Sequence, residues 1–279
     1  MIYSYNPDCQ CGWCLNDGAN PYPGAPDSLG YDIPHNPPKP ATPQIVALLS
    51  WYDEPTEWLA RAIHSLAKLR VNHLIALDGA YAHYPDPEPR SSPDQHAAIR
   101  DACMDARIPV TIRAPTEPWA TEIDKRNRMF ELAETITEPS DWYFVIDADE
   151  FVTEAPNDIR ERLERSPFDV GAVTLHEPGH PMGTLVFPTH PKLFRAIRGL
   201  RAVDNHYKYT TPDGRHLWGN AKTDRLEPRH DLTGLTVQHH SQLRHTDRRR
   251  AALDYYDTRD RLELETDMPA ARSILREAA

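Results

Sequence analysis

The sequence predicts an α/β fold in which a mostly parallel central sheet is flanked by helices, with a less regular second half. Three observations predict it. Apolar runs of strand length alternate with amphipathic helical patterns between residues 44 and 150, and such alternation favours right-handed crossovers and a parallel sheet. The first run, Ile45-Val46-Ala47-Leu48-Leu49, is continuously apolar, as a strand covered on both faces requires. Each run also ends on polar residues, at the carboxyl edge where sheets of this kind hold their ligands.

Residues 1–43 hold nine of the 27 prolines and four of the 12 glycines and show no sustained apolar periodicity, so they read as an extended arm. The folded part starts near Gln44 with the strand Ile45-Val46-Ala47-Leu48-Leu49. Pro55 suits the first turn of a helix, where a missing N–H costs nothing, and Trp58, Leu59, Ala62, Ile63 and Leu66 follow at helical spacing. A second strand, Leu74-Ile75-Ala76-Leu77, ends at Asp78-Gly79, and Ser92-Pro93 opens a helix carrying Ile99, Cys103 and Met104. Val110-Thr111-Ile112, a helix with Ile123, Phe130, Ala133 and Ile136, and the strand Trp142-Tyr143-Phe144-Val145-Ile146 complete the alternation. Beyond it the strand-like pieces are short. Ala172-Val173-Thr174-Leu175 and Lys192-Leu193-Phe194-Arg195 are separated by Pro178, Pro181, Pro188 and Pro191, which read as breaks. A last helix is predicted from about Thr246 to Leu264. The expected organisation is an arm (1–43), a first half (44–152), a second half (153–245) and a helical end (246–279).

The 279 residues suffice for one large core, and 39% hydrophobic with 26% charged residues is the composition of an ordinary globular chain. A formal net charge of -11 opposes attraction to a phosphate backbone, which disfavours long nucleic acid as a partner. No basic segment leads into an apolar run at the start, and no stretch approaches the roughly 18 apolar residues that span a bilayer. The expectation is a cytoplasmic protein. Cys9, Cys11 and Cys14 form a C-x-C-x-x-C cluster. Thiolates bind Zn²⁺ tetrahedrally, so a small structural zinc clip is one reading; no fourth ligand is obvious, and reduced thiols in an irregular tail is the other.

Asp147-Ala148-Asp149-Glu150 follows a buried strand directly, at the open edge of the sheet. Carboxylates crowded there repel one another and raise each other's pKa unless a cation neutralises them, and hard oxygen donors suit Mn²⁺ or Mg²⁺. An acidic turn capping the next element is the plainer alternative.

Four motifs in order now resemble a known family. Leu49-Ser50-Trp51-Tyr52-Asp53-Glu54 with Leu59 and Ile63-His64-Ser65-Leu66 looks like the opening strand, turn and first helix of family 2 GT-A glycosyltransferases. Asp78, Lys125-Arg126-Asn127 and Phe144-Val145-Ile146-Asp147-Ala148-Asp149-Glu150-Phe151 are similar to that family's nucleoside-binding acid, Arg-Asn helix start and D-x-D strand. Asp53 replaces the usual Asn, and Asp78-Gly79-Ala80 lacks the following Ser. The resemblance covers roughly residues 44–152 and implies a GT-A fold, with those residues as its nucleotide-sugar-binding half and 153–245 as its acceptor side. It implies Ser50, Tyr52 and Glu54 beside the nucleoside and Asp78 accepting from base or ribose. Lys125 or Arg126 would offset diphosphate charge, Asp147 would face ribose or metal, and Asp149 would bind the metal. Similar enzymes add a late histidine to the metal shell, and either His239 or His240 suits that place.

The implied activity is metal-dependent transfer of a sugar from a nucleotide-diphosphate sugar, a UDP-sugar by expectation, to a hydroxyl of a glycan, protein or small molecule. For the general base, Asp204 and His206 are the preferred candidates, beside Glu177 and His216. Two other readings stand. A nucleotidyltransferase also uses a carboxylate-bound metal on an α/β sheet, but would normally carry a Gly-rich phosphate loop where this chain has Trp51-Tyr52-Asp53-Glu54. A non-catalytic carbohydrate-binding or assembly protein on the same scaffold would need no intact carboxylate pair.

Overall fold

The computed structural model describes residues 43–84, 87–178, 183–203, 208–218 and 231–240. The Cys9, Cys11 and Cys14 cluster, the candidate bases Asp204 and His206, and the predicted terminal helix lie outside the described residues.

Three parallel strands and a fourth beside them come first. β1 (Ile45–Ser50) lies between β2 (His73–Leu77) and β4 (Trp142–Asp147), and β3 (Val110–Arg113) flanks β2, all in parallel register. The helices between them are α1 (Thr56–Ser65), continued by a 3-10 turn at Leu66–Leu69, then α2 (Pro93–Ala106) and α3 (Glu122–Ala133). Thr121 caps α3 by accepting from the Asp124 amide at 3.1 Å, which satisfies one of the amides a helix start leaves open. Alternate residues of each strand feed two cores. Ala47, Leu49, Phe144 and Ile146 pack on the α1 and α2 side, while Val46, Leu48, Tyr143 and Val145 pack with Met129 and Phe130 of α3. Met104, read as an inward residue of α2, is instead 73% exposed, and Ile136 lies beyond the end of α3. α2 turns Ile99, Ala102 and Cys103 inward, and one helical face has no room for the adjacent position as well.

The second half joins the same sheet. β5 (Glu150–Glu154), α4 (Ile159–Arg165), β6 (Val170–Glu177), β7 (Leu185–Arg195) and β11 (Asp231–His239) complete an eight-stranded order β3-β2-β1-β4-β7-β6-β11-β5. Three short strands, β8 (Arg201–Val203), β9 (Lys208–Thr210) and β10 (His216–Trp218), make a separate antiparallel sheet. β7 runs through Pro188 and Pro191, so these prolines do not break the strand as their residue type predicts. The β6–β7 register shifts between Gly171 and Ala172 and again between Val173 and Leu175, so each proline sits at or beside an irregularity where a missing amide costs little.

β4 and β5 are consecutive in the chain, with only Ala148 and Asp149 between them, yet β7, β6 and β11 separate them in the sheet. A flat sheet cannot satisfy both conditions. It must curl until its far edge meets the end of β4, and that curl gathers the acidic turn and the end of β11 at one place.

Candidate functional site

The site is built from the carboxyl end of β4, the turn after it and the last residues of β11. Asp147 ends β4 with its side chain 21% exposed, and Arg126 from α3 reaches it at 3.1 and 3.3 Å while also bonding Glu122 at 2.9 Å. Burial opposes the charge on Arg126, but Asp147 and Glu122 outweigh it and raise its pKa well above the ordinary range. Asp149 is only 3% exposed. His239, opposite Glu150 in the β5–β11 register, places Nε2 3.4 Å from Asp149 Oδ2 and Nδ1 3.9 Å from Glu177 Oε1. Burial works against protonation of His239; the hydrogen bond to Asp149 and the charges of Asp149 and Glu150 prevail over it and raise the pKa.

The neighbouring histidine does different work. The His240 amide donates to the Asp149 carbonyl at 2.8 Å, and its ring packs against Phe151 at 5.2 Å and Trp58 at 5.9 Å. Burial and Arg61 lower its pKa. Of the two candidates, His239 is the one whose ring is brought to the carboxylates.

Glu150 is nearly sealed. Lys192 of β7 donates to both of its oxygens, at 2.6 and 2.7 Å, and the Asp147 amide donates to Oε2 at 2.9 Å. No feature of the sequence marked Lys192, because a lysine in a strand gives no sign of where its ammonium ends.

The residues expected at the nucleoside are arranged otherwise. Asp78, at the end of β2, is 0% exposed. Its carboxylate accepts from the amides of Gly79 at 2.7 Å and Ser91 at 2.8 Å, from the Ser91 hydroxyl at 2.6 Å, and contacts His96 Nε2 at 2.7 Å. Asp78 therefore ties the segment after β2 to the start of α2 and opens on no cleft. Gly79 is required there: its φ is +120°, and a Cβ would lie 2.6 Å from the Pro115 ring and 2.7 Å from Trp119 Nε1. Lys125 is likewise inside, its ammonium donating to the carbonyls of Trp51 at 2.7 Å and Gly79 at 2.8 Å. Ser50 and Glu54 are buried near the end of β1, and Tyr52 is half-buried with its ring 6.0 Å from that of Tyr84.

Among the described residues, no group of three or more His, Cys, Asp or Glu side chains is arranged to hold a metal ion. What converges is a pair, one carboxylate oxygen and one imidazole nitrogen 3.4 Å apart, with the second imidazole nitrogen turned toward Glu177. A carboxylate oxygen suits Mn²⁺ or Mg²⁺ and an imidazole nitrogen favours Mn²⁺ of the two, so an ion held here would draw the rest of its shell from water and phosphate oxygens. A ligating histidine also usually directs its other nitrogen at a carboxylate.

No family model matches the chain, and no curated protein matches it. Solved structures do. One from Bacillus anthracis, described as a glucose-1-phosphate thymidylyltransferase in complex with a sucrose, has a TM-score of 0.31 and 13% identity. The match covers 49% of this chain and 56% of that one, little more than half its length. A likeness this slight has no bearing on activity.

Proposed function

We propose that the chain is a metal-dependent transferase of the GT-A type, moving a sugar from a nucleotide-diphosphate sugar to a hydroxyl acceptor. The observation that carries this reading is the convergence of Asp149 and His239, from distant parts of the sequence, at the carboxyl edge of a mostly parallel sheet. Asp149 and His239 are the protein donors to the ion, and Glu177 orients the imidazole. When bound, the ion neutralises charge developing on the departing diphosphate. Asp147 is held in place by Arg126, so the pair presents a fixed carboxylate toward ribose or metal. Lys125 acts from inside by fixing the ends of β1 and β2 rather than by meeting phosphate.

A second reading draws on the charge balance. Asp147, Glu150 and Asp149 each face a basic group of the chain itself, Arg126, Lys192 and His239. This suits a non-catalytic carbohydrate-binding or assembly protein. Thermal unfolding with UDP, GDP, CDP and ADP, each with and without Mn²⁺, separates the two, because a ligand that binds only the native state raises the melting temperature. The transferase predicts stabilisation by one diphosphate that requires Mn²⁺ and is lost in Asp149→Ala. Absence of any nucleotide effect favours the binding protein.

A further inference from the structure

A buried ion pair is a weak source of stability, since well-packed apolar residues of the same volume often do as well. Lys192 and Glu150 nonetheless meet inside the protein, beside the turn that carries the candidate donors. Their placement joins three parts of the site. Lys192 occupies both oxygens of Glu150, one of those oxygens also receives the Asp147 amide, and the Glu150 backbone lies opposite His239. An ammonium with three donors and no acceptor can do this where a neutral side chain of the same length cannot.

We infer that Lys192 is a positioning residue for the metal site: by holding both oxygens of Glu150 it keeps the Glu150 carboxylate out of the ion's shell and fixes the amide at the start of the acidic turn. This rests on the metal reading of Asp149 and His239. It withdraws Glu150 of the Asp147-Ala148-Asp149-Glu150 run from the ligand set, and it makes the site's cation affinity a property that Lys192 restrains.

The test is Mn²⁺ titration of the full chain, followed by electron paramagnetic resonance of the unbound ion, for four forms. Lys192→Met leaves Glu150 charged beside the donors, so Mn²⁺ affinity rises by roughly tenfold or more, while Glu150→Gln lowers it by a similar factor. Lys192→Met/Glu150→Gln removes both charges and returns affinity to within about threefold of the wild type, as coupled neighbours should. A gain of affinity on losing a lysine cannot come from a damaged fold. A folded Lys192→Met that binds no more tightly than the wild type overturns the inference. If Lys192→Met does not fold because its buried carboxylate is alone, Glu150→Gln read against the double variant decides: weaker binding in Glu150→Gln that the double variant restores supports the inference, and equal affinity in the two overturns it. A wild type that binds no Mn²⁺ fails the metal reading and takes this inference with it. A wild type that binds with all variants alike overturns the inference alone.

Discussion

Two acidic residues follow parallel strands at the same edge of the sheet, and they have opposite fates. Asp78, after β2, is enclosed and accepts from Gly79, Ser91 and the Ser91 hydroxyl, with His96 against it. Asp149, after β4, is also buried, but the groups nearest it are a histidine ring of adjustable charge and a turn still partly open at Asp147. The difference lies in who satisfies the carboxylate. At Asp78 backbone amides and a hydroxyl do so and commit the charge to holding the chain together; at Asp149 the ring of His239 lies alongside, the arrangement on which the proposed metal site rests. Burial alone does not distinguish them.

The comparison is most exposed at Asp78. Asp78→Ala removes the acceptor for two amides and a hydroxyl and is expected to cost about 3 to 5 kcal/mol, read by urea denaturation. A loss under about 1 kcal/mol would show that the enclosure is not what holds this segment. Ser91→Ala leaves Asp78 short of one donor and the Asp53 amide short of its acceptor. We expect a loss of roughly 1 to 2 kcal/mol in the same assay.

Cys103 offers a third kind of enclosure, by apolar atoms alone, and burial pushes its thiol pKa from 9.0 up to about 12. A raised pKa makes a contribution that is complete below the unfolded value and is lost as pH climbs toward the folded one. Stability should therefore fall by about 1 kcal/mol between pH 9 and pH 10 relative to Cys103→Ala. Identical alkaline profiles for the two proteins would argue that the thiol is not enclosed. The smallest stability effect belongs to Asp149→Ala, within about 1 kcal/mol, since it relieves crowded negative charge. The same substitution should abolish Mn²⁺-dependent stabilisation by nucleotide. A large loss of stability with Mn²⁺ binding retained would reverse the assignment of the two acids.

The parallel half of the sheet was legible because β1, β2 and β4 are apolar over most of their length and α1 and α2 open on the prolines Pro55 and Pro93. Local chemistry sufficed there. The second half was not, because its strands take their register from partners far away: β7 passes through two prolines only because β6 is irregular opposite them. The acidic turn could be found from Ile146-Asp147-Ala148-Asp149 alone. Which of His239 and His240 faces it could not, since neighbours on a strand point to opposite sides and the choice depends on the pairing of β11 with β5. The enclosure of Asp78 escaped notice for a similar reason: Ser91 and His96 lie across a loop whose course no residue pattern announces.

The curl that joins the end of β4 to the far edge of the sheet also fixes an order of events. Among the described residues β5 has a single sheet neighbour, β11, and Thr153 and Thr236 across that pairing are 83 positions apart in the sequence. During synthesis β5 is complete long before its partner exists, and closing so long a loop is slow. Until β11 arrives, the strand following the acidic turn is an open edge able to pair with another chain. The site therefore cannot assemble until β11 is made and paired, because His239 is the last residue of that strand.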